Sequence, residues 1–113
     1  MQNNDFNKII ITGYANSEPV LNNTTGGTPV LNFELRTFMK RRSDIFCVTV
    51  WGDLAKLGSV MILPNEKLLI EGHIQHKRNK DLVLTDIVEV VAKRIYSLGT
   101  CDKPNDYASL LEI

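Results

Sequence analysis

Apolar and polar residues alternate with a period of two along most of this chain, which predicts β-strands rather than helices. The clearest alternation runs through Pro29–Phe38, where Leu31, Phe33 and Leu35 fall on one face. Phe38 and the polar residues of the segment fall on the other face. We therefore expect a strand that is buried on one side only.

The segment Ile45–Trp51 has the same period. Its alternation places Trp51 on one face together with Thr49 and Cys47. The opposite face carries only apolar side chains, namely Phe46, Val48 and Val50. Because a glycine follows directly, we expect this strand to end at Trp51.

Three further segments are rich in β-branched residues and predict strands, namely Lys8–Ala15, Lys67–Gln75 and Leu82–Ile95. Pro19–Leu21 is interpreted as a short continuation of the first. The segment Leu82–Ile95 also fits a helix, but its β-branched content favours a strand.

One helix is expected after Trp51, with Asp53 as its N-cap residue. Gly58 weakens helix formation, so the helix should have only two or three turns. Its buried stripe is expected to consist of Leu54, Leu57, Met61 and Val60.

The order strand, strand, strand, short helix, strand, strand predicts an all-β OB-fold. This is a five-stranded Greek-key barrel, with the one short helix between strands 3 and 4. An SH3-like barrel lacks a helix at that position, and an all-β sandwich needs about seven strands. We place the OB-fold domain at residues 1–96 and a C-terminal tail at residues 97–113.

Composition indicates one globular domain in a chain of 113 residues. No apolar run approaches the ~18–20 residues of a membrane span. The start, MQNNDFNK, lacks the apolar region of a signal peptide, and two cysteines cannot form a disulfide framework. We therefore expect a cytoplasmic protein without membrane contact.

The formal net charge is zero, which at first argues against a polyanionic partner. Residues 36–42 and 73–80, however, hold seven of the 13 Lys and Arg residues and no acid. The rest of the chain has six basic and 13 acidic residues. Two basic hairpin tips on an acidic body are typical of a polyanion binder, although solvated tips are often basic for no further reason.

Catalytic and metal-binding signals are weak. No Gly-Lys-Ser/Thr sequence follows a strand, so a Walker A loop is absent. His73 and His76 point to opposite faces of a strand, which is poor geometry for zinc. A Cys47–His73 nucleophile pair stays open if their strands are neighbours. We expect no enzyme activity, no cofactor and no metal.

Aromatic and basic side chains share one predicted face. Trp51 is the only tryptophan, and it lies on the polar face with Phe38 and Arg36 if their strands pair. Unpaired bases stack on aromatic rings, and the phosphate backbone binds cations. The face therefore predicts binding of single-stranded nucleic acid. The alternative is that Trp51 and Phe38 fill a subunit interface or the end of the barrel.

Several short pieces of the sequence, in their order and spacing, resemble the bacterial single-stranded DNA-binding proteins, an oligomeric OB-fold family abbreviated SSB. The pieces are Asn7–Gly13, Glu18-Pro19, Gly27–Val30, Asn32-Phe33, Val48–Gly52, Leu54-Ala55 and Ile70–Gly72. The resemblance extends over about Asn7–Tyr96.

The resemblance implies a set of DNA-contacting residues, in which Trp51 matches the family's stacking aromatic. The others on the family's DNA-binding face are Arg36, Thr49 and His73. The residues matching the family's two phosphate-gripping loops are Lys40, Arg41, Arg42, Lys77, Arg78 and Lys80.

The chain also departs from the family pattern. Both loops are shorter than usual, and Arg41, Ile45 and Asn79 stand where well-studied members place tryptophans. Phe38 would compensate in part. Replacing stacking by charge should lower the affinity and raise its dependence on salt.

The resemblance implies a single-stranded DNA-binding protein that acts without sequence specificity in DNA replication, repair or replication restart. It would be a homodimer or homotetramer and nucleoid-associated. Replication or repair proteins are candidate partners, although Asp106–Ile113 resembles the family's acidic recruiting tip only distantly.

Two alternatives stay open. The chain also resembles the primosomal, dimeric SSB-like proteins, and it could be a protein-interaction module of a replication or primosome complex with weak or no DNA binding. RNA is the other alternative ligand, because OB-folds bind both polymers.

Overall fold

The computed structural model describes residues 4–77 and 87–100 of the chain. Its elements are β1 Ile9–Ala15, β2 Val20–Asn23, β3 Pro29–Met39, β4 Arg42–Trp51, α1 Asp53–Met61, β5 Glu66–His76 and β6 Val88–Thr100. The prediction of a mostly β chain with one short helix is therefore confirmed. No helix in these two ranges is long and apolar enough to cross a membrane.

The six strands form one sheet in the order β1-β5-β6-β4-β3-β2. An additional pairing joins β1 to β3 through Tyr14 with Arg36 and Ala15 with Leu35, so that the sheet closes on itself as a barrel. The pairing of β4 with β6 is parallel, whereas the other pairings are antiparallel.

The alternation seen in the sequence becomes the division between the inside and the outside of the barrel. The fully buried interior side chains include Leu31 and Leu35 from β3, Val48 and Val50 from β4, and Ile70 from β5. Because successive strand residues point to opposite faces, the polar residues between them lie on the outer surface.

The connection between β3 and β4 is shorter than the gap between the strands predicted at Pro29–Phe38 and Ile45–Trp51. β3 and β4 pair as far as Met39 with Arg42, so that only two residues make the reversal. Lys40 adopts a positive φ of 54° there. Basic side chains on this two-stranded ribbon remain in solvent, and polar composition therefore did not mark the end of the strand.

The predicted position of the helix between strands 3 and 4 is wrong, because α1 follows the fourth strand. The difference arises at Val20–Asn23, which pairs with β3 as a strand of its own rather than continuing β1. The N-cap residue is Gly52 instead of Asp53, which occupies the first helical position.

The predicted buried stripe of α1 is correct only for Leu54, which is half-buried and packs against the core. The buried residues of the helix are Ala55 and Gly58, whereas Leu57 is 57% exposed and Met61 is 62% exposed. A Cβ at Gly58 would lie 2.8 Å from Leu31 Cδ2, so the helix rests on the barrel through its two smallest side chains. Small residues allow this close approach, and Leu57, Val60 and Met61 are turned away from it.

The last strand extends further toward the C-terminus than expected and reaches Thr100, so the boundary proposed at residues 96 and 97 lies inside β6. Residues 82–86 of the predicted strand and residues 101–113 of the proposed tail lie outside the described residues. The pairing of β5 with β6 shifts register between Glu71 and Gly72.

A side chain at Gly72 would collide with the backbone of β6. Its Cβ would lie 1.9 Å from the carbonyl oxygen of Val91, which is fixed in the sheet. We therefore expect Gly72→Ala to lower the free energy of unfolding by about 3 kcal/mol or more, measured by urea denaturation.

Gly26→Ala is the matched control, because the new Cβ would meet no atom closer than Thr24 Oγ1 at 3.9 Å. We expect this variant to stay within about 0.5 kcal/mol of the parent protein. Equal denaturation midpoints for the two variants would contradict the close approach of β5 to β6.

Candidate nucleic-acid interface

The outer face of β3, β4, β6 and β5 forms one continuous surface. A single row of paired residues crosses it, running through Asn32, Thr49, Val91 and His73. Trp51 lies two residues beyond Thr49 on β4 and is therefore on the same face. The predicted site residues Trp51, Thr49 and His73 are thus brought together.

Trp51 is the last residue of β4 and is 44% exposed. Its neighbour Gly52 has a φ of 70°, a conformation that favours glycine and turns the chain into α1. The Gly52 amide also donates a hydrogen bond to the Pro29 carbonyl at 2.9 Å, which fixes this end of β4 against β3. The indole is consequently held at the rim of the barrel with part of its ring in solvent.

Phe38 shares this face but lies at its other end. Trp51 pairs with Val30, and Phe38 is eight residues further along β3, about 26 Å at a rise of ~3.3 Å per residue. The Phe38 ring packs edge-on against the buried Tyr14 ring, with 5.9 Å between the centroids. The structure therefore does not bring the two predicted stacking residues together.

Arg36 lies between these ends and is held by side chains on both sides. Its Nε donates to Asn16 Oδ1 at 3.0 Å, and its Nη1 donates to Ser43 Oγ at 2.8 Å. A guanidinium has five N–H donors, so these bonds orient the group and leave donors for a further acceptor.

The β3–β4 tip carries three predicted phosphate-binding residues in two different situations. Lys40 and Arg41 are exposed, whereas Arg42 forms an ion pair with Asp44 at 3.0 Å. The hydrogen bond that Arg42 donates to Asp44, and secondly the negative charge of Asp44, raise the pKa of Arg42. Asp44 lies just beyond the acid-free segment 36–42, and the tip is therefore less positive than that segment indicated.

The basic residues of the second tip are only partly within the described structure. Lys77 is exposed, and its amide donates to the Ile87 carbonyl at 2.7 Å, which closes the end of the β5–β6 pair. Arg78 and Lys80 lie outside the described residues.

The strand order excludes the Cys47–His73 nucleophile pair that the sequence left open. Its condition was that their strands are neighbours, but β6 lies between β4 and β5. Within residues 4–77 and 87–100, no group of three or more His, Cys, Asp or Glu side chains is placed to hold a metal ion.

A profile of the single-strand binding protein family matches residues 6–98, which is most of the chain. This chain belongs to the single-strand binding protein family.

Among solved structures, the chain is similar to a deletion mutant of the single-stranded DNA binding protein from Thermus aquaticus. The TM-score is 0.70 at 24% sequence identity, a level at which the likeness shows the OB-type fold alone. The match covers 88% of this chain and 44% of the Thermus chain, so this chain spans less than half the length of that protein. No curated protein sequence matches the chain.

Sequence reasoning missed one acidic residue on the outer face of this single-strand binding family member. Glu89 pairs with Cys47 across β4 and with Gln75 across β5, and it is buried. Thr49 is only 4% exposed, and its hydroxyl lies 2.9 Å from Glu89 Oε2. Alternation placed Thr49 on the outer face, but it carried no signal that neighbouring side chains cover it there.

Proposed function

We propose that this chain is a Greek-key OB barrel that binds single-stranded DNA on the outer face of β3, β4 and β5, without reading its sequence. The single observation that carries the proposal is the exposure of Trp51 at the rim of that face. A large aromatic ring in solvent offers a stacking surface to any base, and each stacked base is worth about 1–3 kcal/mol.

Cations on the same face supply the contacts that the phosphate backbone needs. Arg36 is oriented by two hydrogen bonds, Lys40 and Arg41 are exposed at the β3–β4 tip, and Lys77 is exposed just after the end of β5. Arg78 and Lys80, which follow Lys77 in the sequence, would add two more cations. His73 lies on the same face, in the row of paired residues that includes Thr49. Thr49 contributes by holding its neighbours in place, because its own hydroxyl is buried.

The protein acts, in this proposal, in DNA replication, repair or replication restart, in the cytoplasm at the nucleoid, with replication or repair proteins as candidate partners. It works as a homodimer or homotetramer without catalytic activity. Ile10 and Met39 support self-association, because both are more than half exposed beside the cleft between β1 and the β3–β4 hairpin. Exposed apolar side chains of this size are typical of contact surfaces.

A protein-interaction module with weak or no DNA binding is the second candidate. The observation that favours it is the presence of carboxylates among the cations of the outer face, where Glu34 and Glu89 lie on either side of Cys47 and Asp44 compensates Arg42. These carboxylates weaken the attraction for phosphate. Undetectable binding of oligo-dT at low salt would favour this candidate.

Trp51 provides both the predicted contact and the signal that reports it. Titration with oligo-dT should quench its fluorescence, and added salt should reverse the quenching. We expect Trp51→Ala to weaken binding of labelled oligo-dT by about 5- to 150-fold, measured by anisotropy, because one stacked base is lost.

Trp51→Phe is the control, because it retains an aromatic face and should bind within a few-fold of the parent. The proposal fails if the parent protein shows neither quenching nor a gel shift at low salt. Competition between oligo-dT and oligo-U separates DNA from RNA as the ligand.

The two arginines at the β3–β4 tip should differ in their effect on salt dependence. Arg41→Ala should make the slope of log K against log salt concentration less steep by about 0.7, the value for one phosphate on a single strand. Arg42→Ala should change the slope by less, because Asp44 already compensates its charge.

Both slopes would be measured by anisotropy titrations between low and moderate salt. Asp44→Asn is the complementary variant and should make the slope steeper. Identical slopes for Arg41→Ala and Arg42→Ala would show that the Arg42–Asp44 pair does not limit the contact.

A further inference from the structure

A chain of polar side chains crosses four strands on the proposed binding face. Gln75 Nε2 donates to Glu89 Oε1 at 2.8 Å, and Glu89 Oε2 lies 2.9 Å from Thr49 Oγ1. Thr49 Oγ1 in turn lies 3.0 Å from Asn32 Oδ1. We call these four residues, Gln75, Glu89, Thr49 and Asn32, the cross-strand relay.

The relay has one proton too few for the two close contacts that Thr49 Oγ1 makes with acceptor oxygens. A threonine hydroxyl has a single proton, but Thr49 Oγ1 lies within hydrogen-bond distance of two acceptors, Glu89 Oε2 and Asn32 Oδ1. A carboxylate is the stronger acceptor because it is charged. With a carboxylate at position 89, the Thr49 proton therefore goes to Glu89, and Asn32 must donate to the Thr49 oxygen.

An amide can make this exchange by a half-turn about its last side-chain bond. Nδ2 of Asn32 then donates to Thr49 Oγ1, and Oδ1 takes the place of Nδ2 on the opposite side. Asn32 is half-buried, so part of the residue is accessible to a strand bound on this face. The charge on Glu89 thereby determines, through Thr49, whether Asn32 presents an acceptor or a donor to a bound strand.

We propose that Glu89 sets a base preference at one nucleotide by holding the Asn32 side chain with its oxygen toward the DNA. Asn32 pairs with Thr49, and Trp51 is its diagonal neighbour on β4, a separation of about 7–8 Å that long side chains span. A base stacked on Trp51 thus presents its edge to Asn32. The acceptor favours a base with an exocyclic amino group there.

This inference rests on the proposed DNA binding and adds one local preference to an otherwise sequence-tolerant interface. Cytosine and uracil provide the sharpest comparison. They have the same ring size, and position 4 carries an amino donor in cytosine and an oxygen acceptor in uracil. Uracil also lacks the methyl group of thymine, which would add an apolar contact of its own.

Glu89→Gln should reverse the relay. The new amide still accepts from Gln75 through its oxygen, but its nitrogen donates to Thr49. Thr49 then donates to Asn32 Oδ1, and Asn32 presents Nδ2 to the strand. We expect the ratio of dissociation constants, oligo-dU over oligo-dC, to fall about two- to tenfold relative to the parent, which corresponds to one net hydrogen bond.

The control is the same substitution in a chain where the relay is cut. In the Thr49→Val background, Glu89→Gln should leave the ratio unchanged, because no hydroxyl joins position 89 to Asn32. The same holds in the Asn32→Ala background. Circular dichroism and thermal melting establish that each variant is folded before its titrations are compared.

Each result of these titrations either supports or overturns the inference. An unchanged ratio in Glu89→Gln, with binding retained, overturns the inference but leaves DNA binding intact. An equal change in the Thr49→Val background also overturns it, because the effect then bypasses the relay. Should Glu89→Gln not fold, Asn32→Ala alone must lower the ratio about twofold or more. If the parent binds neither oligonucleotide, the proposed function fails and this inference fails with it.

Discussion

The barrel depends on the close approach of backbones where β1 is held between β5 and β3. A Cβ at Gly13 would lie 2.7 Å from the Arg36 carbonyl oxygen and 2.8 Å from Leu35 Cγ, so only glycine permits the pairing of β1 with β3 that closes the sheet. Gly72 plays the equivalent role between β5 and β6. Closure then gives every strand an inner and an outer face, and Trp51, Arg36 and His73, which are proposed to contact DNA, occupy the outer one.

Some side chains on the outer face are covered by their neighbours, so this face is not uniformly exposed to solvent. Tyr14 belongs to this side of β1 but is buried, with Phe38 packed against its ring and the Lys67 ammonium 4.5 Å from its centroid. Glu89 and Thr49 of the cross-strand relay make a second buried group on the same side. Trp51, Lys40 and Arg41 lie outside these covered groups, and solvent-accessible chemistry is therefore concentrated at the two ends of β3 and β4.

Local patterns in the sequence predicted the strands and their inward residues well, because the period of two depends only on backbone geometry. Leu31, Phe33 and Leu35 are all buried as their alternation indicated. The helix face was missed because periodicity favours large apolar residues, whereas the packing distance here selects Ala55 and Gly58. The burial of Thr49 was missed because alternation tells which face a residue occupies but not what covers that face.

The order of strands in space is likewise not a local property. The parallel insertion of β6 between β4 and β5 brings Glu89 beneath the face and separates Cys47 from His73, and no short stretch of sequence encodes that neighbourhood. The family resemblance supplied the general architecture. It did not supply the Arg42–Asp44 pair, because that contact depends on how tightly this particular hairpin turns.

The separation of Trp51 from Phe38 gives the outer face a fixed length between its two aromatic side chains. Along β3 it amounts to about 26 Å, which corresponds to about eight nucleotides at the stacked spacing of ~3.4 Å per nucleotide and to fewer in an extended strand. A fragment shorter than this span engages one end of the face or the other. The length of the β3–β4 hairpin thus sets the shortest single strand that can contact both ends of the face.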